Sequence, residues 1–306
     1  MPRTITITKS INEVIRPILL YTSNDISNNI YGSIYNYNGI FRGKDLGEIK
    51  SSNVDSFISN LAISTGEFNV RLGDYFKITD GTHNSTWMVA GINNYYNKGS
   101  STWGNHITLI PRDYLYYPQG TTDHLCPMNS TNTTGVSKNP SNPLYNTTQG
   151  NETAGYQAYY GSDMHQIYLP AIVGHLQQVL GNHLLKMYQL LSNTMNLTAE
   201  NGQYDTNGSW KGIPTNWNWY ETYAILPSEI EIYGSQVWGH SGFDTGINCQ
   251  QLPVFKFIPY NSYSRTTFWL RSVVSSSAFA NASNHGVAGC SSASYRHSLR
   301  PLICIR

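Results

Sequence analysis

Residues 275–298 collect eight serines, two asparagines and two histidines, spaced by five alanines and two glycines, with Arg296 the one charged residue. Hydroxyls and amides both donate and accept hydrogen bonds, and imidazole does either according to its tautomer. Short polar groups of this kind, with an occasional tyrosine, are what adaptable binding surfaces use. The residues expected to face outward and meet a ligand are Ser275, Ser276, Ser277, Asn281, Ser283, Asn284, His285, Ser291, Ser292, Ser294, Tyr295 and His297. The chemistry they offer is reversible contact.

Bond-breaking chemistry has less support. A hydrolase needs two carboxylates across a cleft, or a nucleophile activated by a base. Glu229 and Glu231 are two residues apart, sharing a face in a strand but diverging in a helix. The chain has no G-x-S-x-G, H-E-x-x-H or glycine-rich phosphate loop. His175 falls on the apolar side of a helical pattern and is expected to be a satisfied core histidine. Cys126, Cys249, Cys290 and Cys304 are too scattered for a disulfide framework or a C-x-x-C site, so they read as structural thiols. The chain is therefore expected not to be an enzyme, with no catalytic residue, no cofactor and no metal ligand assigned.

The elements that must hold the 275–298 segment flank it. Residues 269–274 (WLRSVV) and 299–305 (LRPLICI) are rich in aromatic and branched side chains and read as strands. The segment itself has few large apolar groups and is expected to lie at the surface, with Trp269, Arg271, Phe279 and Arg300 as its supporting frame. Upstream, apolar spacing predicts a short helix near Val54–Leu61 and strands at Phe68–Val70, Tyr75–Ile78, Thr86–Ile92 and His106–Ile110. Met164, Ile167, Tyr168, Ala171, Ile172, Leu176, Val179 and Leu180 follow the helical period. Ser162 is placed to cap that helix and Gly181 to stop it, while Pro170 predicts a kink or a second helix starting there. His183–Leu191 is apolar enough for a strand or a further helical segment. Ser228 reads as the cap of a short helix, and Leu252–Ile258 as a short buried element. Trp210, Trp217, Trp219, Tyr220 and Tyr223 crowd around Pro214 in a stretch that reads as loop, where aromatic rings either fill the core or stack on sugars.

The order W-L-R-S (269–272), F-A (279–280), G-x-A, A-S and R-P (300–301) resembles a family found in phage and prophage genomes. Its members resemble C-type-lectin-fold proteins, related to the variable proteins of diversity-generating retroelements and, distantly, to the formylglycine-generating enzymes. Collinear matches extend upstream: F-R-G-K-D-L-G (41–47), G-D-Y-F (73–76), W-M-V-A-G-I (87–92), H-I-T-L-I-P (106–111), M-N (128–129), G-S-D-M (161–164), L-P-S-E (226–229) and Q-L-P-V-F (251–255). The resemblance implies an α+β, C-type-lectin-like domain with long loops over residues 41–306. Residues 1–40, too short for a large core, read as a small N-terminal attachment or oligomerisation appendage or as a flexible tail, and residues 118–160, poor in aliphatics, as a long loop insertion. The formylglycine-generating enzymes use a pair of nearby cysteines; Cys290 and Cys304 are far apart in sequence, which argues against that activity here. Calcium sites need several closely spaced oxygen donors. Residues 269–306 contain no aspartate or glutamate, so a sugar-bridging calcium is not expected there, and a structural ion elsewhere is left open.

Charged residues are 12% of the chain, about half the usual quarter. With a net charge of +1 and no basic run, the footprint of nucleic-acid binding is missing. No apolar run approaches the roughly 20 residues of a membrane helix, so no membrane insertion is expected, and residues 1–9 lack the apolar core of a secretory signal. With the resemblance, these features lead to an expected function: a virion-associated adhesin or receptor-binding protein, assembled in the bacterial host cytoplasm. Its expected partners are a host cell-surface protein or glycan, other virion proteins, and copies of itself, a trimer by resemblance. The alternative is a structural capsid fibre or decoration protein without direct receptor binding.

Overall fold

The structure is a computed structural model that describes residues 43–96, 104–113, 125–132, 138–145, 158–196, 213–239, 251–257, 266–275 and 277–306. The chain divides into two units, Met1–Arg42 and Gly43–Arg306, and every described residue belongs to the second. The appendage expected over 1–40, most of the 118–160 loop, Trp210 and Ser276 lie outside the described residues.

Helix and sheet are mixed in an α+β arrangement. The strands are β1 (Asp45–Ile49), β2 (Tyr75–Thr79), β3 (Asn84–Ile92), β4 (Ile107–Pro111), β5 (Leu184–Leu185), β6 (Met187–Asn196), β7 (Ile213–Thr222), β8 (Phe268–Val273), β9 (Ala278–Ala282), β10 (Ala288–Ser292) and β11 (Ile303–Ile305). The α-helices are α1 (Val54–Asn60), α2 (Leu169–Leu180), α3 (Glu229–Tyr233) and α4 (Pro253–Phe257). The central sheet has the order β1-β2-β3-β4-β11-β5; β8, β9 and β10 form a three-stranded sheet and β6 and β7 a two-stranded one. Among the described strands only the β1–β2 pair is parallel.

The C-terminal strand β11 threads between β4 and β5, so segments distant in sequence share one core. Phe76, Trp87, Ile107, Leu109, Ile303 and Ile305 are fully buried there. At about 1.5–3 kcal/mol per large apolar side chain removed from water, such a cluster dominates the stability of the sheet.

The upstream motif fragments meet in space. Gly43 has φ +78, and a Cβ on it would fall 1.7 Å from the Gly73 carbonyl oxygen, so only glycine fits. Beside it, the Asp74 carboxylate accepts from the backbone N–H of Lys44 at 2.7 Å and of Arg71 at 2.8 Å. Gly73 and Asp74 in turn exchange backbone hydrogen bonds with Val89. Gly91 sits at the β3–β4 register shift, where a Cβ would collide with the Asn94 side chain.

The long helical pattern splits at its proline. A π-helical turn over Met164–Tyr168 leads directly into α2, so Pro170, which has no N–H for the carbonyls of that turn, falls where the hydrogen-bond ladder is already irregular. Ser162 Oγ accepts from the His165 N–H at 3.2 Å, and Gly181 ends the helix. Leu169, Ile172, Val173, Leu176, Val179 and Leu180 form the buried face, packed against β2 and β5.

Two expected secondary-structure assignments fail. Phe68–Val70 is not a strand: Phe68 has φ +40 and its N–H closes a turn onto Ala62 O. Trp217, Trp219 and Tyr220 lie on β7 rather than in a loop, with Trp219 stacked on Tyr188. Pro214 suggested a loop, but among the described residues β7 pairs only with β6, and such an edge tolerates a missing N–H.

Candidate functional site

The frame around residues 275–298 is built from buried polar anchors. Every residue of β8 is buried. The Trp269 indole donates to Cys126 O at 2.7 Å. Arg271 donates to Glu231 Oε2 at 2.5 Å and to Leu226 O at 2.8 Å. Glu231 also accepts from the Tyr95 hydroxyl and the Ser228 N–H. Ser228 completes a capping box with Glu231 at the start of α3. Burial, and next the Glu231 charge, push the Tyr95 phenol well above its usual range. Arg300 donates to the Pro111 and Arg112 carbonyls and lies over the Phe268 ring. Burial lowers its pKa to about 10, so it remains charged at neutral pH.

Within this frame residues 278–292 form a β-hairpin, part exposed and part buried. Phe279 and Asn281 share one face of β9, Ala278, Ala280 and Ala282 the other, and all but Ala278 are buried. Asn281 therefore does not face outward: its Nδ2 donates to Ser291 Oγ at 2.8 Å, and His297 Nε2 lies 2.8 Å from the same oxygen. The His297 ring packs against Trp269, and burial pushes its pKa down to about 4, leaving the imidazole neutral at pH 7. Ser283 Oγ accepts from the His285 and Val287 N–H groups and closes the hairpin tip. Ser275, Ser277, Ser283, Ser291, Ser292, Ser294 and His297 are half-buried; Asn284, His285 and Tyr295 are exposed. Ser276 lies outside the described residues.

The rim of the hairpin includes residues that the sequence reading missed. Buried Glu229 accepts from the backbone N–H groups of Val237, Trp238 and Gly239 at 2.7–3.2 Å. That nest fixes the 237–239 turn, and the Trp238 indole donates to Ala288 O on β10. Val237, Trp238 and Val287 are 54%, 41% and 64% exposed. Glu229 was weighed as a catalytic carboxylate; it is enclosed by main chain and serves as an internal anchor.

A second cluster lies where the β2–β3 turn meets α2. Asp80 Oδ1 accepts from the Thr82 and His83 N–H groups at 2.8 and 2.6 Å. Its Oδ2 lies 2.7 Å from His83 Nδ1 and 3.2 Å from His175 Nδ1. The two imidazole centroids are 4.0 Å apart. The His83 ring, followed by its backbone N–H, holds the Asp80 carboxyl well below the usual carboxylate range. These groups border a cleft of about 30 Å³ whose walls include Ile78, Trp87, Ile172, Leu176 and Val179. His175 is thus half-exposed and partnered by a carboxylate, not enclosed in the core as expected. Asp80, His83 and His175 form the one group among the described residues whose donor atoms lie close enough to share a metal ion.

The thiols are structural where buried. Cys304 lies in the central sheet, and burial raises its pKa to about 12. Cys290 is exposed on β10, and no disulfide joins the described cysteines. No family model, curated protein or solved structure matches this chain.

Proposed function

We propose that this chain is a virion-displayed binding module of phage type, whose C-type-lectin-like domain presents the β9–β10 hairpin and its rim to a host cell-surface protein or glycan. The observation that carries this reading is a set of exposed apolar side chains at both ends of β10, on a support of buried hydrogen bonds. Val237, Trp238 and Val287 gather at one end of β10 and Tyr295 follows its other end. Beneath them, Trp269, Arg271 and Glu229 hold the backbone through buried hydrogen bonds. Exposed apolar groups rimmed by polar ones mark interaction surfaces, and a preorganised support lowers the entropy lost on binding. Display in several copies, a trimer by resemblance, multiplies weak contacts. The reading is one of binding rather than catalysis.

The structural alternative also has one observation in its favour. β10 is the outer strand of its sheet, an edge on which another copy can add a strand.

The test is binding of labelled, purified protein to candidate host cells, beside a variant carrying Trp238→Ser, Val287→Asp and Tyr295→Asp. Native binding that is lost in a variant with an unchanged circular dichroism spectrum supports the reading. Equal binding by both, or no binding to any host while the protein joins capsid or tail components, overturns it.

A further inference from the structure

We propose that Asp80, His83 and His175 bind one divalent transition-metal cation of the zinc type, which clips the β2–β3 turn to α2. Two imidazole nitrogens and one carboxylate oxygen are a donor set for zinc, cobalt, nickel or iron. Calcium and magnesium instead require several oxygens. In a tetrahedral zinc site with bonds of about 2.0–2.1 Å, donor atoms lie about 3.3 Å apart. Here Asp80 Oδ2 stands 2.7 Å from His83 Nδ1 and 3.2 Å from His175 Nδ1. All three donors lie within 4.8 Å of one another. The set needs only a small spread to admit an ion.

The supports are those a metal site needs. Oδ1 of Asp80 is held by two backbone N–H groups, which aims Oδ2 at both rings. The histidines come from a turn and a helix, His175 being 95 residues beyond Asp80, so closure of the site requires the folded chain. The adjoining cleft of about 30 Å³ has room for a water-sized fourth ligand. Three protein donors leave that position open, so the ion can carry water or a donor from a partner.

The experiment uses the full chain after treatment with a chelator. Zn²⁺ is titrated calorimetrically, Co²⁺ by visible absorption, and thermal melting is followed with Zn²⁺ and with Ca²⁺. The expected result is one ion per chain, the d–d bands of a low-coordinate Co²⁺ site, and a Tm raised by about 5 °C with excess Zn²⁺ but not with Ca²⁺. His175→Gln and Asp80→Asn each weaken Zn²⁺ binding by about tenfold or more, whereas His285→Gln, at the exposed hairpin tip, leaves it unchanged. The absence of Co²⁺ bands in the native protein overturns the proposal without reference to any variant. Equal Zn²⁺ affinity in the native and His175→Gln proteins, or an equal Tm shift with Ca²⁺, also overturns it.

Discussion

The β9–β10 hairpin and the β2–β3 turn both gather imidazole and short polar side chains, but they use them in opposite ways. In the hairpin, Asn281, Ser291 and His297 bond to one another and His297 packs on buried Trp269. Their polarity is consumed in holding two strands together. At the turn, Asp80, His83 and His175 remain partly open to solvent and converge on one carboxylate oxygen. A local abundance of polar residues therefore does not define a site; convergence from separate elements does. The outward surface of the hairpin is instead carried by its tip and by an apolar rim that the serine-rich composition does not announce.

The largest test of this contrast removes the hairpin's frame. Arg271→Met leaves Glu231 charged and buried without its ion pair, and breaking such a pair costs about 3–5 kcal/mol. Chemical denaturation should show that loss, with the near-ultraviolet signal of Trp269 weakened; a variant as stable as the native protein would mean that the frame lies elsewhere.

A second test uses acid. His165 is buried, its Nδ1 has no hydrogen-bond partner, and burial pushes its pKa down to about 4. The unfolded imidazole titrates near 6.5, so between about pH 6.5 and 4 the unfolded chain binds a proton that the folded chain excludes. Stability should be intact above about pH 6.5 and fall by about 3 kcal/mol as pH drops to 4. His297 shifts in the same direction and should loosen the hairpin over the same interval. Denaturation at pH 7, 5.5 and 4 measures the slope, and His165→Phe should flatten it.

The smallest effects separate support from surface within one stretch. Asn281→Ala removes the donor to Ser291 inside the hairpin and should cost about 1–3 kcal/mol. His285→Ala, at the exposed tip, should change stability by less than about 0.5 kcal/mol. Equal costs by thermal melting would erase the distinction.

Much of the fold was legible in local pattern. The spacing of Val54 to Leu61, the alternation at Tyr75–Ile78 and the helical run ending at Gly181 each correspond to an element, because side-chain direction follows directly from the backbone period. Trp269, Arg271, Phe279 and Arg300 read as a frame and are buried. The metal-binding candidate was not legible. Asp80 and His83 sit in a short turn of ordinary composition, and His175 on a helical stripe reads as core until the turn is seen beside it. The rim was equally hidden, since Val237 and Trp238 are presented only because Glu229 binds the N–H groups of their own turn.

The sequence by itself determined the helix near Val54–Leu61, the strands at Tyr75–Ile78, Thr86–Ile92 and His106–Ile110, the helical run ending at Gly181, and which of their faces are apolar. These follow from backbone geometry and local side-chain chemistry within a few residues. Tertiary structure alone decided that β11 enters the central sheet, that Asn281 turns inward while Tyr295 stays in water, and that His175 meets Asp80. Those outcomes depend on contacts between segments far apart in sequence, which local periodicity does not specify.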